Sequence, residues 1–533
     1  MRKVGYVVGE AGTNQFTFVS DKESFPPRLE YLVLRVIEKS EGSSEEREIL
    51  AQVVRLSNIS EIFGQDLTLK EVESILNRFA TTPQVLGTAR IIGFLEEEEG
   101  RRNVRIPRCA PLPGQEVFLA EDDFLSQFFS HQIEAGIRIG NLIHRKGVEV
   151  MLDPNGFRRH VAIIAQTGAG KSYLSGLVLE NLLALGGTIL VFDPNSDYVC
   201  MRRKRGGGMT EFSKRVTVYR PRGVEGRRFP DEHIGGSKEY TVRFKTLDDE
   251  EIFEILGITD KMTNIRAAIH SARSQFGGEY LPKELKIALE SMANDPNEKG
   301  EMRDAARKAA RRMSDLINMG IWGFKDIEIE ECLAPMRMSV VDLAGIPRRV
   351  SEFLVQRTLA DLWGKASSGT LPHPVFVVLE EAHNFVPGEH VKCRSRSIIN
   401  TLASEGRKFA VFLIVVTQRP HKIDDNTLSQ CNSQIIMRLT NPEDMSAVSR
   451  ASEAVSQDLL DDLPGLNVGE AVVVGQLTRT PVMVKVSGRI SEEGGSDINV
   501  IEELSKARRD AETDTSIEKF IKEDLEELRE AEA

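Results

Sequence analysis

Beyond about residue 145 the chain alternates short, uninterrupted apolar runs with longer amphipathic stretches. Residues 161–165, 188–192, 338–343, 375–379, 411–416 and 471–474 are apolar at nearly every position. A strand tolerates that only when both of its faces are covered. The helical segments between the runs supply the cover, and this alternation predicts an α/β fold with a parallel sheet between helical layers. The texture before residue 145 differs. Residues 4–8, 16–19 and 31–36 are short β-rich runs separated by Gly, Asn, Pro and charged turns, and 112–120 reads as a turn feeding one further strand. Residues 1–145 are therefore expected to form a small β-barrel ahead of the α/β core.

Two further changes of pattern divide the rest. Between 246 and about 319 no apolar strand occurs, only charged, Ala-rich helical stretches such as 304–319. An inserted helical bundle over 246–325 would split the core into 146–245 and 326–490. The tail, 491–533, is polar and acidic, with Ile517, Phe520, Ile521, Leu525 and Leu528 at helical spacing. It reads as a solvated helix or as one that docks on a neighbour. No repeat of 20–50 residues is present.

Composition changes this picture in three ways. The length of 533 residues calls for two or three domains with ample core. The cysteines at 109, 200, 332, 393 and 431 lack CxxC spacing, so neither a disulfide framework nor a zinc ribbon is indicated, which suits a reducing cytoplasm. No apolar h-region opens the chain and no run approaches the roughly 18 apolar residues of a membrane span, so no membrane partner is expected. The net charge of −12 argues at first against nucleic acid, but residues 491–533 hold 15 acidic and 6 basic side chains. The body is thus near neutral and has room for a basic channel.

The chemistry concentrates at strand ends. Val161-Ala-Ile-Ile-Ala-Gln-Thr-Gly-Ala-Gly-Lys-Ser-Tyr173 sets a Gly-rich loop between an apolar strand and a helix. There the backbone N–H groups of Ala165, Gln166, Thr167, Gly168, Ala169 and Gly170 can cradle phosphates. Lys171 is placed for the β and γ phosphates of ATP, Ser172 for Mg²⁺, and Tyr173 is counted with the nucleotide-binding residues. Val375-Phe-Val-Val-Leu-Glu-Glu-Ala-His383 is an apolar strand ending in adjacent carboxylates. Glu380 is assigned to the metal side and Glu381 to polarising water. Gln418, in Thr417-Gln-Arg-Pro420, follows another strand and is placed to sense the γ-phosphate or to position water. Asp193 also ends a strand and is expected at the nucleotide; Asp342 is either there or a helix cap. These residues predict a RecA-like P-loop NTPase core.

Hydrolysis of this kind often draws an arginine from a neighbouring subunit. Arg407, in Ser404-Glu-Gly-Arg-Lys408, and Arg159, in Phe157-Arg-Arg-His160, are the two candidates, surface ion pairing being the alternative for each. For DNA, Arg202, Arg203, Lys204 and Arg205 precede three glycines soon after Asp193, and Lys392, Arg394 and Arg396 follow the acidic pair. Each cluster is either a solvated loop or, coupled to the ATP site, part of a DNA channel.

In this order the motifs resemble the HerA family of hexameric DNA translocases, in the FtsK-like branch of P-loop ATPases. The resemblance rests on Gln166-Thr-Gly-Ala-Gly-Lys-Ser172, Asp193-Pro-Asn-Ser-Asp-Tyr198, Leu379-Glu-Glu-Ala-His-Asn-Phe385, Glu405-Gly-Arg-Lys408 and Thr417-Gln-Arg-Pro420 behind an N-terminal barrel. Ala165 stands where a glycine is usual, and Asn195-Ser196 where the family often has His-Gly. The resemblance implies a HAS-barrel-like N-terminal domain and a homohexameric ring around duplex DNA. It also implies work with a NurA-type nuclease in resection of double-strand breaks for recombinational repair. It implies further that Lys171 binds ATP, that Glu381 is the catalytic base, and that Arg407 or Arg159 acts across the subunit interface. Two other readings share these motifs: an ATP-driven motor for secretion or conjugation, and a nucleotide-switched scaffold.

Overall fold

The computed structural model describes residues 1–40, 43–59, 69, 84–98, 101–129, 136–221, 224, 227–452, 454–495 and 500–513. Seven N-terminal strands form the first sheet: β1 (Lys3–Ala11), β2 (Gln15–Ser20), β3 (Tyr31–Ser40), β4 (Ser43–Ile59), β5 (Gln84–Glu98), β6 (Arg101–Arg105) and β7 (Glu116–Leu119). Their order is β2-β1-β7-β3-β4-β5-β6, and an added β2–β5 pairing closes six of them into a barrel, leaving β6 as a hairpin arm of β5. Alternation along β2 puts Phe16 and Phe18 inside, where they join Leu32, Leu34, Ile49 and Val53 in the barrel core.

Fourteen strands follow: β8 (Ile137–Leu142), β9 (Arg145–Leu152), β10 (Val161–Ile164), β11 (Thr188–Asp193), β12 (Val216–Pro221), β13 (Lys238–Tyr240), β14 (Val242–Arg243), β15 (Trp322–Gly323), β16 (Met338–Asp342), β17 (Val375–Leu379), β18 (Val411–Thr417), β19 (Ser433–Met437), β20 (Glu470–Val474) and β21 (Val482–Val486). Twelve of these make one sheet, β13-β12-β16-β11-β17-β18-β10-β19-β20-β21-β8-β9, while β14 and β15 pair separately. From β13 to β19 every pairing is parallel. The five central apolar runs lie in this part, buried between two large apolar clusters.

The sheet differs from the sequence reading at its far end. Residues 471–474 are apolar throughout, yet β20 runs antiparallel to β19 and begins an antiparallel extension through β21, β8 and β9. Apolarity reports burial on both faces, not strand direction, so the pattern could not distinguish the two. The expected division at 145 falls between β8 and β9, and both strands pair into the second sheet. Arg145 ties this edge to the barrel side, donating to Glu30 and Asp122 at 3.0 Å each.

Four helices, Asp249–Ile255, Thr263–Ser274, Pro282–Asn294 and Gly300–Ile317, occupy the stretch expected to be helical. The last carries Ala305, Ala306, Ala309, Ala310, Met313 and Leu316 as one buried stripe. It packs into the same apolar cluster as one face of the sheet. Asp248 starts the bundle with a reciprocal capping box to Glu251. In the acidic tail, Val500–Thr513 is helical and exposed over 500–510, while Ile517, Phe520, Ile521, Leu525 and Leu528 lie outside the described residues. The tail does not begin as solvated chain at 491: Ser491 is completely buried against the P-loop helix.

Candidate nucleotide site

Because β10, β11, β17 and β18 are parallel neighbours, their carboxyl ends emerge along one edge of the sheet. From β10 the chain enters the 165–170 loop, where Gly168 and Gly170 have φ of +77° and +102°. Only glycine takes this left-handed backbone cheaply. Gly170 is the N-cap of helix Lys171–Ala184 but offers no side chain to cap it, and the first turn holds no acid. The exposed N–H end and its partial positive charge suit an external anion.

Lys171 leaves that helix start for the end of β17. Its ammonium, buried to 5% exposure, pairs with Glu380 Oε1 and lies 3.0 Å from Glu381 Oε1. Burial alone would favour loss of its proton, but the two carboxylates more than offset this and keep the lysine charged. Glu380 is fully buried, and burial pushes its carboxyl up to about 7 against the pull of Lys171. The Tyr198 hydroxyl donates to its second oxygen and also lies 2.8 Å from Ser175 Oγ on the P-loop helix.

Glu381 sits in the left-handed region at φ +48°, a conformation that costs a non-glycine residue on the order of 1 kcal/mol or more. The turn brings its carboxylate back over the strand ends. Gln418 Nε2 donates to Glu381 Oε1 at 2.8 Å, and Thr167 of the loop donates to Gln418 Oε1. His383 Nδ1 lies 3.3 Å from both Glu381 Oε2 and Thr417 Oγ1. Thr167, Gln418, Glu381, Lys171 and Glu380 thus form one connected polar chain across three strand ends.

Asp193 does not face this chain, contrary to expectation. It is completely buried, and its carboxylate accepts from the backbone N–H of Asn195, Asp197 and Tyr198, which closes the loop after β11. Asp342 is likewise engaged internally, by Ser196, Arg220, Arg227 and the Ala344 N–H. The loop that Asp193 closes delivers Asp197 instead. Asp197 accepts a hydrogen bond from Ser172 and feels Lys171, while burial raises its carboxyl above the usual range. A second acid four residues after a strand-ending one was the available signal for Asp197. Tyr198 gave none, since a buried tyrosine beside a strand is ordinary core.

Arg489 is a further residue the sequence reading missed. Its buried guanidinium donates to the Ser172 carbonyl and, at 3.2 Å, to the Glu492 carbonyl. Glu180 of the P-loop helix accepts from the Ile490 and Ser491 N–H groups at 3.0 and 2.6 Å. Residues 487–495 therefore strap across that helix from outside the motifs.

Arg159 and Arg407 lie at the opposite, amino edge, before β10 and β18. Both are exposed, and among the described residues neither side chain has a hydrogen-bond or ion-pair partner. Between them His160 is buried, accepting from the Leu413 N–H at Nδ1 (2.9 Å) and donating from Nε2 to the Ala403 carbonyl (3.0 Å). Burial lowers this imidazole to about 4, so it stays neutral and rigid.

The basic clusters divide. Arg202 donates to the carbonyls of Val216, Gly235 and Gly236, and Arg396 to those of Pro387, Gly388 and Val391. Arg394 is half-buried beside Glu254, and Arg203 pairs with Glu492. These four guanidiniums hold loops together, which removes them from the expected DNA-facing set. Lys204, Arg205 and Lys392 are exposed at the carboxyl edge, Arg205 lying over the Tyr173 ring and 3.7 Å from Glu493.

The family model described as DUF87, helicase HerA central domain, matches residues 137–362. A probable helicase of Methanocaldococcus jannaschii is 28% identical over 526 residues, covering 94% of this chain and 93% of that protein. The DNA double-strand break repair helicase HerA of Pyrococcus furiosus is 27% identical over 570 residues, covering 95% and 97%. Among solved structures, VirB4 of Thermoanaerobacter pseudethanolicus superposes with a TM-score of 0.46 at 17% identity, covering 67% of this chain and 97% of that one. The chain is thus similar to HerA helicases, through the matched central domain and along nearly the whole length of these relatives.

Proposed function

We propose that this protein is an ATP-driven DNA translocase that works as a homohexameric ring on duplex DNA. We further propose that it serves double-strand-break end resection with a NurA-type nuclease. The observation that carries the reading is the connected chain from Thr167 through Gln418, Glu381 and Lys171 to Glu380, laid against an uncapped helix N-terminus. Bound Mg²⁺ would neutralise charge on the phosphate oxygens. Ser172 and Glu380 would hold it, with Asp197 alongside. Lys171, now held by two carboxylates, exchanges them for phosphate oxygens when ATP arrives. That frees Glu381, kept in place by Gln418, to take a proton from water. Arg407 or Arg159 reaches the phosphates of the next subunit's ATP.

The DNA part draws on the relatives named as break-repair helicases and on exposed Lys204, Arg205 and Lys392 beside the nucleotide edge. The ring and the nuclease partner follow from the family resemblance. The test is ATP hydrolysis with and without linear duplex DNA across a salt series, with Glu381→Gln as blank. Stimulation that weakens with salt supports a translocase reading phosphates. Turnover indifferent to DNA would shift the reading to a secretion or conjugation motor.

A further inference from the structure

Cys200, His233 and Glu492 come from three distant parts of the chain and meet beside the strap over the P-loop helix. One ligand atom of each lies within 4.8 Å of the other two. His233 Nε2 and Glu492 Oε1 are already 3.0 Å apart. Cys200 is completely buried, whereas His233 and Glu492 are half-buried and leave a path from solvent. We propose that this cluster is a metal site that takes a borderline transition dication, zinc in the first instance, through Cys200 Sγ, His233 Nε2 and a Glu492 carboxylate oxygen.

The donor set argues for this class of ion. Sulfur, imidazole and carboxylate together suit zinc, whereas magnesium and calcium take oxygen ligands. Tetrahedral zinc at ordinary bond lengths separates its ligand atoms by about 3.3–3.6 Å. The His233–Glu492 edge, at 3.0 Å, needs to open by about 0.3 Å, and the Cys200 edges, within 4.8 Å, need to close by at most about 1.2 Å. Three protein ligands leave a fourth position for water on the open side.

The surroundings fit as well. Arg203 Nε donates at 3.0 Å to Glu492 Oε2, which leaves Oε1 for the metal and fixes the carboxylate's orientation. The neighbouring cations are engaged elsewhere: Arg220 on Asp231 and Asp342, and Arg489 on Ser172, Ser491 and Glu492 oxygens. Burial holds the Cys200 thiol up at about 12, with Arg203, Arg220 and Arg489 pulling the other way. A bound dication removes that thiol proton, as it does for coordinating cysteines generally. The ion would pin Glu492, and with it the strap that lays Arg489 on Ser172, to the loop after β11.

The test uses the full chain purified without chelator and then loaded with Co²⁺ in place of zinc. The expected result is one equivalent of bound zinc and a near-ultraviolet sulfur-to-cobalt charge-transfer band with intense tetrahedral d–d bands. Cys200→Ser abolishes the charge-transfer band and Cys393→Ser leaves it intact. His233→Ala, at a half-exposed position, weakens Co²⁺ binding by roughly a hundredfold. The ATP site cannot mimic this signal because it holds no sulfur. Absence of stoichiometric metal from the wild-type chain, or a cobalt spectrum indifferent to Cys200→Ser and His233→Ala, overturns the proposal.

Discussion

The two ends of β10 and β18 are built on opposite plans. At the carboxyl end, Lys171, Glu380, Glu381, Gln418 and Thr167 are each answered by a partner within the same chain. At the amino end, two arginines stand exposed on either side of a buried, neutral His160, with no partner among the described residues. One end is electrostatically closed; the other presents positive charge on a rigid base. In the proposed ring, the second end of one copy would complete the first end of the next.

Substitutions at the two ends should separate these plans, the largest effects coming from the closed end. Lys171→Ala leaves two buried carboxylates without their cation, so nucleotide binding and turnover should both vanish. Part of the ~3–5 kcal/mol cost of breaking a buried pair should be recovered by protonation of Glu380, which already titrates high. Calorimetric nucleotide binding with a urea melt measures both, and wild-type affinity in this variant would remove Lys171 from the site. Glu381→Gln should lower kcat by about 10³-fold, within the range for a lost general base, while nucleotide affinity is retained. Turnover near wild type would strip Glu381 of its role.

At the open end, Arg407→Ala should cost about 10³-fold in kcat with affinity for ATP kept, the low end for a lost arginine finger. The same substitution at Arg159 decides which of the two acts. A parallel loss of affinity and folding stability would mean a structural arginine. Gln418→Ala interrupts the link from Thr167 to Glu381 at a neutral hydrogen bond. It should slow turnover only about tenfold, the equivalent of about 1.4 kcal/mol.

A separate effect is on stability alone. His160 has a folded pKa of about 4 against an ordinary 6.5, so the unfolded chain binds the extra proton between those values. Its contribution is complete above 6.5 and is lost as pH falls toward 4. Between pH 7 and pH 5 the loss should be about 2 kcal/mol. Denaturation curves of wild type and His160→Gln at the two pH values should show this slope in the wild type alone.

How much of this the sequence carried depended on whether a feature is local. Apolar runs flanked by helices revealed the central strands, and the loop ending in Gly170-Lys171-Ser172 revealed the phosphate cradle, because backbone and chemistry there lie within a dozen residues. Strand direction beyond β19 was hidden, since burial does not encode it. Asp193 misled because a strand-ending acid suits a site or a loop closure equally, and three backbone N–H groups decided for closure. Arg202, Arg394 and Arg396 misled for a related reason. A run of cations in a glycine-loosened loop suggests phosphate contacts, but these side chains turn back onto carbonyls that only the folded loop supplies. Arg489 reaches the site through tertiary contacts from outside the motifs, while Asp197 and Tyr198 reach it from the Asp193–Tyr198 motif only because the loop after β11 folds back onto the P-loop helix.

The most direct measurement mixes two inactive proteins, Lys171→Ala and Arg407→Ala, and follows ATP hydrolysis with duplex DNA after the subunits exchange. If the open end of one copy completes the closed end of its neighbour, mixed assemblies contain interfaces with an intact P-loop facing an intact Arg407, and turnover returns. If the mixture stays as inactive as its components after exchange is verified, Arg407 does not act between subunits, and the complementarity of the two ends is refuted.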